Sequence, residues 1–187
     1  YDEETVRKKF SKIKVTKKQF GAAKFWLGRL KRGELKDEMI NYDDFKHVIL
    51  RDLLGYPAAK LDFEKKNVEF SYRDQTETTH VCFECKGTKT ELWERQPYGK
   101  SEQETPVLQT QSNMQRFTPA ALYGVCTNYN EFVLLDNKQG SKCHTISFDE
   151  IGDGFAEKSI DKLREFIGLF SYEELVQEKA LENLYKI

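Results

Sequence analysis

Three observations predict an α/β (α+β) architecture, a central mixed β-sheet flanked by helices. Strand-like segments cluster in the middle of the chain, with helical periodicity before and after them. Residues 120–127, AALYGVCT, are apolar throughout with no alternation, as in a strand buried on both faces. Residues 68–87, VEFSYRDQTETTHVCFECKG, read as two alternating strands around a polar turn.

Each element follows in order. Residues 3–14 are charged and weakly periodic and read as a short helix. Thr16 caps a second helix with Phe20, Ala23, Leu27 and Leu30 at helical spacing, and Gly33 ends it. A third begins at the polar residues 41–44, buries Phe45, Val48, Ile49 and Leu53, and closes at Gly55 and Pro57. Asp43 and Asp44 stand at its N-terminus, where the macrodipole favours acids, which is a sufficient role for both. The hairpin strands span about 68–72 and 79–86. Residues 88–106 are a long polar stretch of the kind that serves function or moves. Pro106 opens a helix over about 106–117, capped by Thr105 and carrying Gln109, Gln111 and Gln115. Strands are expected at 120–127, 132–135 and 143–148. Ile160, Leu163, Ile167 and Phe170 then form a helical stripe, and Ser171 with Glu174 makes a capping box for a last helix.

At 187 residues, 39% hydrophobic and 33% charged, the composition is that of a soluble globular domain. No apolar run reaches membrane-spanning length. The chain opens at Tyr1 and stops inside a helical pattern at Ile187, which reads as a piece of a longer protein. Charge is uneven: the first 36 residues carry twelve Lys and Arg against four Asp and Glu. A basic end faces phosphate backbone or is an ordinary solvated helix surface. Cys82 and Cys85 form a CxxC, yet on a strand they point to opposite faces. Buried free thiols of a cytosolic protein explain them better than zinc.

The hairpin carries the chemistry. With a turn centred on Thr76 and Glu77, Glu69 faces Glu84 across the strands, and Lys86 lies on the same face. Val68, Phe70 and Tyr72 share the apolar face. Two facing carboxylates are destabilising unless a cation sits between them. One reading is a divalent metal site; the other is a solvated polar face balanced by a lysine, which spacing alone favours. A metal held by Glu69, Glu84 and the Cys85 backbone carbonyl has hard oxygen ligands, which suits Mg²⁺ with Mn²⁺ as a substitute. Lys86 then positions water or stabilises developing negative charge. Other chemistries lack their signatures: there is no GxSxG, no GxxxxGK[ST] and no GxGxxG, and His47, His80 and His144 are scattered.

An acid on the first hairpin strand, Glu69 in NVEF, followed by Glu84-Cys85-Lys86 on the second, resembles the PD-(D/E)xK nuclease superfamily. Glutamate stands here for the usual aspartate, and Val68 for the usual proline; Asp74 is the fallback acid. Downstream, ECKG, QTQSNMQRF and LYGVCTNYNEFVLLD are similar to the amino-terminal nuclease region of type IIG-like restriction–modification enzymes, or of type I restriction subunits. The resemblance implies a restriction-endonuclease-like core over 41–150, a basic helical segment over 1–40 packed on it, and a connector over 151–187. It implies Glu69 and Glu84 as metal ligands, Lys86 as the catalytic lysine, and Gln111 or Gln115 as the helix glutamine, although the family spacing from Phe117 lands on Asn113. An acid before the hairpin, Asp44 or Asp43, would join them. It further implies Mg²⁺-dependent hydrolysis of double-stranded DNA in a prokaryotic cytoplasm. Methyltransferase and target-recognition regions would lie in the same full-length chain, with a transient dimer for double-strand cutting. The alternative is a non-catalytic DNA-binding module on a decayed nuclease fold.

Overall fold

The computed structural model describes residues 2–96, 104–137, 142–152 and 157–177. Helix α1 (Glu3–Phe10) starts at Asp2, whose carboxylate accepts from the Thr5 amide at 2.9 Å. Helix α2 (Lys17–Lys31) opens with a full capping box, in which Thr16 and Gln19 satisfy each other's backbone amides. The Gln19 side-chain amide also donates to the Leu53 carbonyl at 3.1 Å, which ties the start of α2 to the next element. That element is a 3₁₀ turn (Met39–Asn41), a short α3 (Tyr42–Asp44) and a π-helical segment (Phe45–Leu53), where the sequence predicts a plain α-helix.

Six strands follow in one sheet: β1 (Leu61–Lys65), β2 (Val68–Arg73), β3 (Thr79–Cys85), β4 (Tyr123–Thr127), β5 (Glu131–Asp136) and β6 (Lys142–Ser147). They lie side by side in chain order. The β3–β4 pair is parallel and every other pair antiparallel, so the sheet is mixed. A parallel pair needs a crossover, and α4 (Pro106–Met114) lies within it, capped by Thr105 as its sequence predicts. Helices α5 (Glu157–Phe170) and α6 (Tyr172–Leu175) close the described chain; Ser171 accepts from the Glu174 amide.

The strand β1 is absent from the sequence expectation. Of LDFEK only Leu61 is buried, and Phe63 is half exposed, because β1 is an edge strand with one neighbour. An edge with alternating charges gives little apolar signal. By contrast all five residues of β4 are buried, as its unbroken apolar run requires.

Two apolar layers cover the sheet. One face packs Phe70, Val81, Phe83, Cys85, Val125 and Phe132 against helical residues that include Trp26, Phe45, Phe166 and Phe170. The other packs Cys82, Cys126 and Val133 against Val107 and Met114 of α4. Burying each phenylalanine stabilises the fold by about 1.5–3 kcal/mol. The CxxC is thereby divided between the two layers, and both thiols are free. Burial pushes both thiols up, away from thiolate. Val68 departs from expectation: it joins the α4 layer instead of the Phe70 face. Among the described residues no helix is long and apolar enough to cross a membrane.

Candidate active site

The register of the hairpin sets the geometry. Phe70 lies opposite Phe83 and Ser71 opposite Cys82, so one step further brings Glu69 level with Glu84. Glu69 Oε2 accepts from the Cys85 amide at 2.6 Å. Glu84 is buried, 1% exposed, and its two oxygens have separate partners. Lys86 Nζ donates to Oε1 at 2.8 Å and Asn113 Nδ2 to Oε2 at 3.2 Å. The Lys86 amide donates to the Thr127 carbonyl at 2.7 Å, which extends the parallel pairing past the end of β3 and fixes where the lysine departs.

A third acid enters from a part of the chain that sequence reading did not connect to the hairpin. Glu38 Oε2 lies 3.9 Å from Lys86 Nζ. The Tyr42 hydroxyl donates to Glu38 Oε1 at 2.7 Å and has a second carboxylate oxygen, Glu69 Oε1, at 3.3 Å. Glu38 is placed by backbone contacts. The Tyr129 hydroxyl donates to its carbonyl at 2.6 Å, and the Trp26 indole donates to the Tyr129 carbonyl at 2.8 Å. The Thr88 amide donates to the Leu35 carbonyl. Gly87 permits this approach: a Cβ there would lie 2.0 Å from the Lys36 carbonyl oxygen. No local pattern points to Glu38, because its proximity depends on a tertiary contact at the glycine of ECKG.

The turn after β4 is built from its side chains. Thr127 Oγ1 accepts from the Tyr129 amide, and Asn128 Oδ1 accepts from the Asn130 and Glu131 amides. Asn128 also donates to the Thr90 carbonyl at 2.9 Å, which holds the segment after Lys86 against the turn. The TN pair thus has a structural task beside the site.

The other sequence candidates lie elsewhere. Asp44 pairs with Arg29, whose guanidinium also reaches Asn41, and Asp43 lies 3.3 Å from His47. Both are engaged there, and the acid from this part of the chain that lies beside Lys86 is Glu38. Gln115 is exposed and donates to Asn137 at 3.3 Å. Gln111 is half-buried on the same helix. Asn113, the residue at the family spacing from Phe117, is the one that reaches Glu84, and it also donates to the Asn67 carbonyl at 3.0 Å. Asp74 sits in the hairpin turn with His80, at the other end of the strands.

Electrostatics follow from burial and crowding. Burial and the neighbouring Glu84 push Glu69 up to about 8. Burial also raises Glu84, against the charge and hydrogen bond of Lys86. Burial disfavours the Lys86 ammonium, but Glu84 and Glu38 outweigh it and lift the lysine above its usual range. Three carboxyl groups crowd one ammonium, and Glu69 relieves the repulsion by holding a proton. Hard carboxyl oxygens that would release that proton to a cation suit a hard divalent ion. Among the described residues no set of three or more His, Cys, Asp and Glu is arranged to hold a metal as it stands. Lys86 Nζ stands between Glu84 and Glu38, where it supplies positive charge.

Comparison with protein-family models found no match, and neither did comparison with curated proteins or with solved structures.

Proposed function

We propose that this chain is the catalytic domain of a Mg²⁺-dependent DNA endonuclease with a restriction-endonuclease-like core, part of a larger restriction–modification protein. One observation carries the reading. Glu69, Glu84 and Lys86 converge at the end of β3, with Asn113 of the crossover helix on Glu84. Glu69, Glu84 and the Cys85 carbonyl are the groups that would hold the cation, and Glu38 is the further acid in place of Asp44. A bound divalent cation supplies neutralisation of the scissile phosphate and acidification of the attacking water. The chain's own residues do the rest. Lys86 donates toward the attacking oxygen or the negative charge that develops on the phosphate oxygens. Asn113 holds the Glu84 carboxylate in one orientation, and Tyr42 does the same for Glu38. The buried thiols of Cys82, Cys85 and Cys126 take no part, since burial keeps each protonated.

The test is cleavage of duplex DNA in Mg²⁺ or Mn²⁺. Glu84→Ala and Lys86→Ala are expected to lower the rate by about 10² or more, with folding checked by circular dichroism, and EDTA to abolish it. Equal cutting by both variants and the parent would sink the proposal. A second reading, a DNA-binding module without catalysis, draws on the lysine-filled state of the acid cluster. Calorimetric titration with Mg²⁺ separates the two: the nuclease reading requires binding that Glu69→Ala weakens, and the module reading requires none.

A further inference from the structure

At the end of the hairpin remote from Glu84, a cavity of about 620 Å³ opens between Lys60, Tyr72, Arg73, Asp74, His80 and Tyr172. Its volume falls within the roughly 300–1,000 Å³ of small-molecule sites. Among the described residues that line it, Asp74 is the one acid, and that carboxylate is fully engaged. It accepts from His80 Nε2 at 2.7 Å, from the Thr76 amide and hydroxyl at 2.8 and 2.7 Å, and from the Thr78 amide at 3.1 Å. Lys60 and Arg73 have no ion-pair partner among the described residues. The Tyr72 and Tyr172 hydroxyls meet at 3.1 Å; one donates to the other, and the remaining phenolic proton is available to a ligand.

We propose that this cavity binds a phosphate monoester, with Arg73 and Lys60 as its counter-charges and the tyrosine pair as a neutral donor. A dianionic phosphate matches two unpaired cations, and the guanidinium fork presents two parallel donors to two of its oxygens. The volume beyond the phosphate holds the organic part of the ester. From His80 to Glu84 is four strand residues, roughly 13 Å, so this site and the acid cluster are separate. The proposal stands or falls independently of the nuclease reading.

The test is calorimetric titration of the 187-residue chain in EDTA, so that no divalent cation draws phosphate to Glu84. The probes are AMP against adenosine, and a 5′-phosphorylated oligonucleotide against its 5′-hydroxyl twin. The expected result is that at least one phosphorylated probe binds tenfold or more tightly than its unphosphorylated counterpart. Preference for AMP assigns the site to a free ester, and preference for the phosphorylated strand assigns it to a nucleic-acid end. Arg73→Gln and Lys60→Gln should each weaken that binding at least fivefold, and Glu84→Gln should leave it unchanged. Lys60 is exposed, so K60Q reads out charge even if R73Q disturbs the end of β2. Equal binding of both members of each pair overturns the proposal, as does insensitivity to R73Q and K60Q together, or loss of binding in E84Q.

Discussion

Glu69 is under two opposed demands: its backbone partner at Cys85 favours the carboxylate, while burial and Glu84 favour the acid. Burial wins, and the folded-state pKa lies near 8 against an ordinary value of 4.5. The sign of the linkage follows. Folded protein holds this proton where the unfolded chain has released it, so stability is full below about pH 4.5 and declines as pH rises toward 8. In EDTA, the melting temperature is therefore expected to fall between about pH 5 and pH 8. Glu69→Gln keeps an acceptor for the Cys85 amide and removes the charge. It should flatten that decline and stabilise the fold at pH 8 by about 1–3 kcal/mol. A pH–melting profile for E69Q that overlays the parent would show that Glu69 is an ordinary surface carboxylate. At this scale Glu84 and Lys86 were legible in the sequence, because two residues apart on one strand end means one face. Glu38 was not, since its place depends on the Gly87–Lys36 approach, which no local pattern encodes.

The crossover helix α4 is what turns a strand pair into a site. It lies close over β4 because position 124 is glycine: a Cβ there would fall 2.5 Å from Met114 Sδ. That approach carries Asn113 to Glu84. The existence of α4, its Thr105 cap and the buried β4 strand were all readable, as propensity, capping and apolar pattern agree there. Residue type did not say which polar residue of the helix turns inward, because Gln111, Asn113 and Gln115 are alike. Only the spacing from Phe117 that the resemblance supplies points to Asn113, and the crossing geometry is what brings it to Glu84. The edge strand β1 escaped for the opposite reason, having too few buried side chains to mark it. Asn113→Ala removes the donor to Glu84 and to the Asn67 carbonyl, and should destabilise the fold by about 1–3 kcal/mol in urea unfolding. Asn113→Asp, which places another carboxylate against Glu84, should cost more. If both variants unfold at the parent's midpoint, α4 does not support the Glu84 carboxylate.

Over the whole molecule, the basic charge gathers on the first two helices and the turn between them. Several of these cations are already matched: Lys8 pairs with Glu4, Lys18 with Asp52, and Arg7 lies 3.8 Å from Glu165. Lys12, Lys14, Lys17 and Lys24 are exposed and have no ion-pair partner among the described residues. Unpaired exposed ammonium groups add little to stability, but each one that meets a phosphate releases a counterion and steepens the salt dependence of binding. The nuclease reading therefore expects duplex affinity, measured by fluorescence anisotropy in EDTA to prevent cutting, to fall steeply with salt. Changing Lys12, Lys14 and Lys17 together to glutamine should lower the log–log slope by about 1 for each lysine that contacts the backbone. The melting temperature should stay close to the parent's, since none of the three is packed. Loss of slope with retained fold would place the DNA along α1 and α2 whether or not the acid cluster is catalytic. An unchanged slope and affinity would mean that these lysines are only a solvated surface, and that the duplex approaches Glu84 from another side.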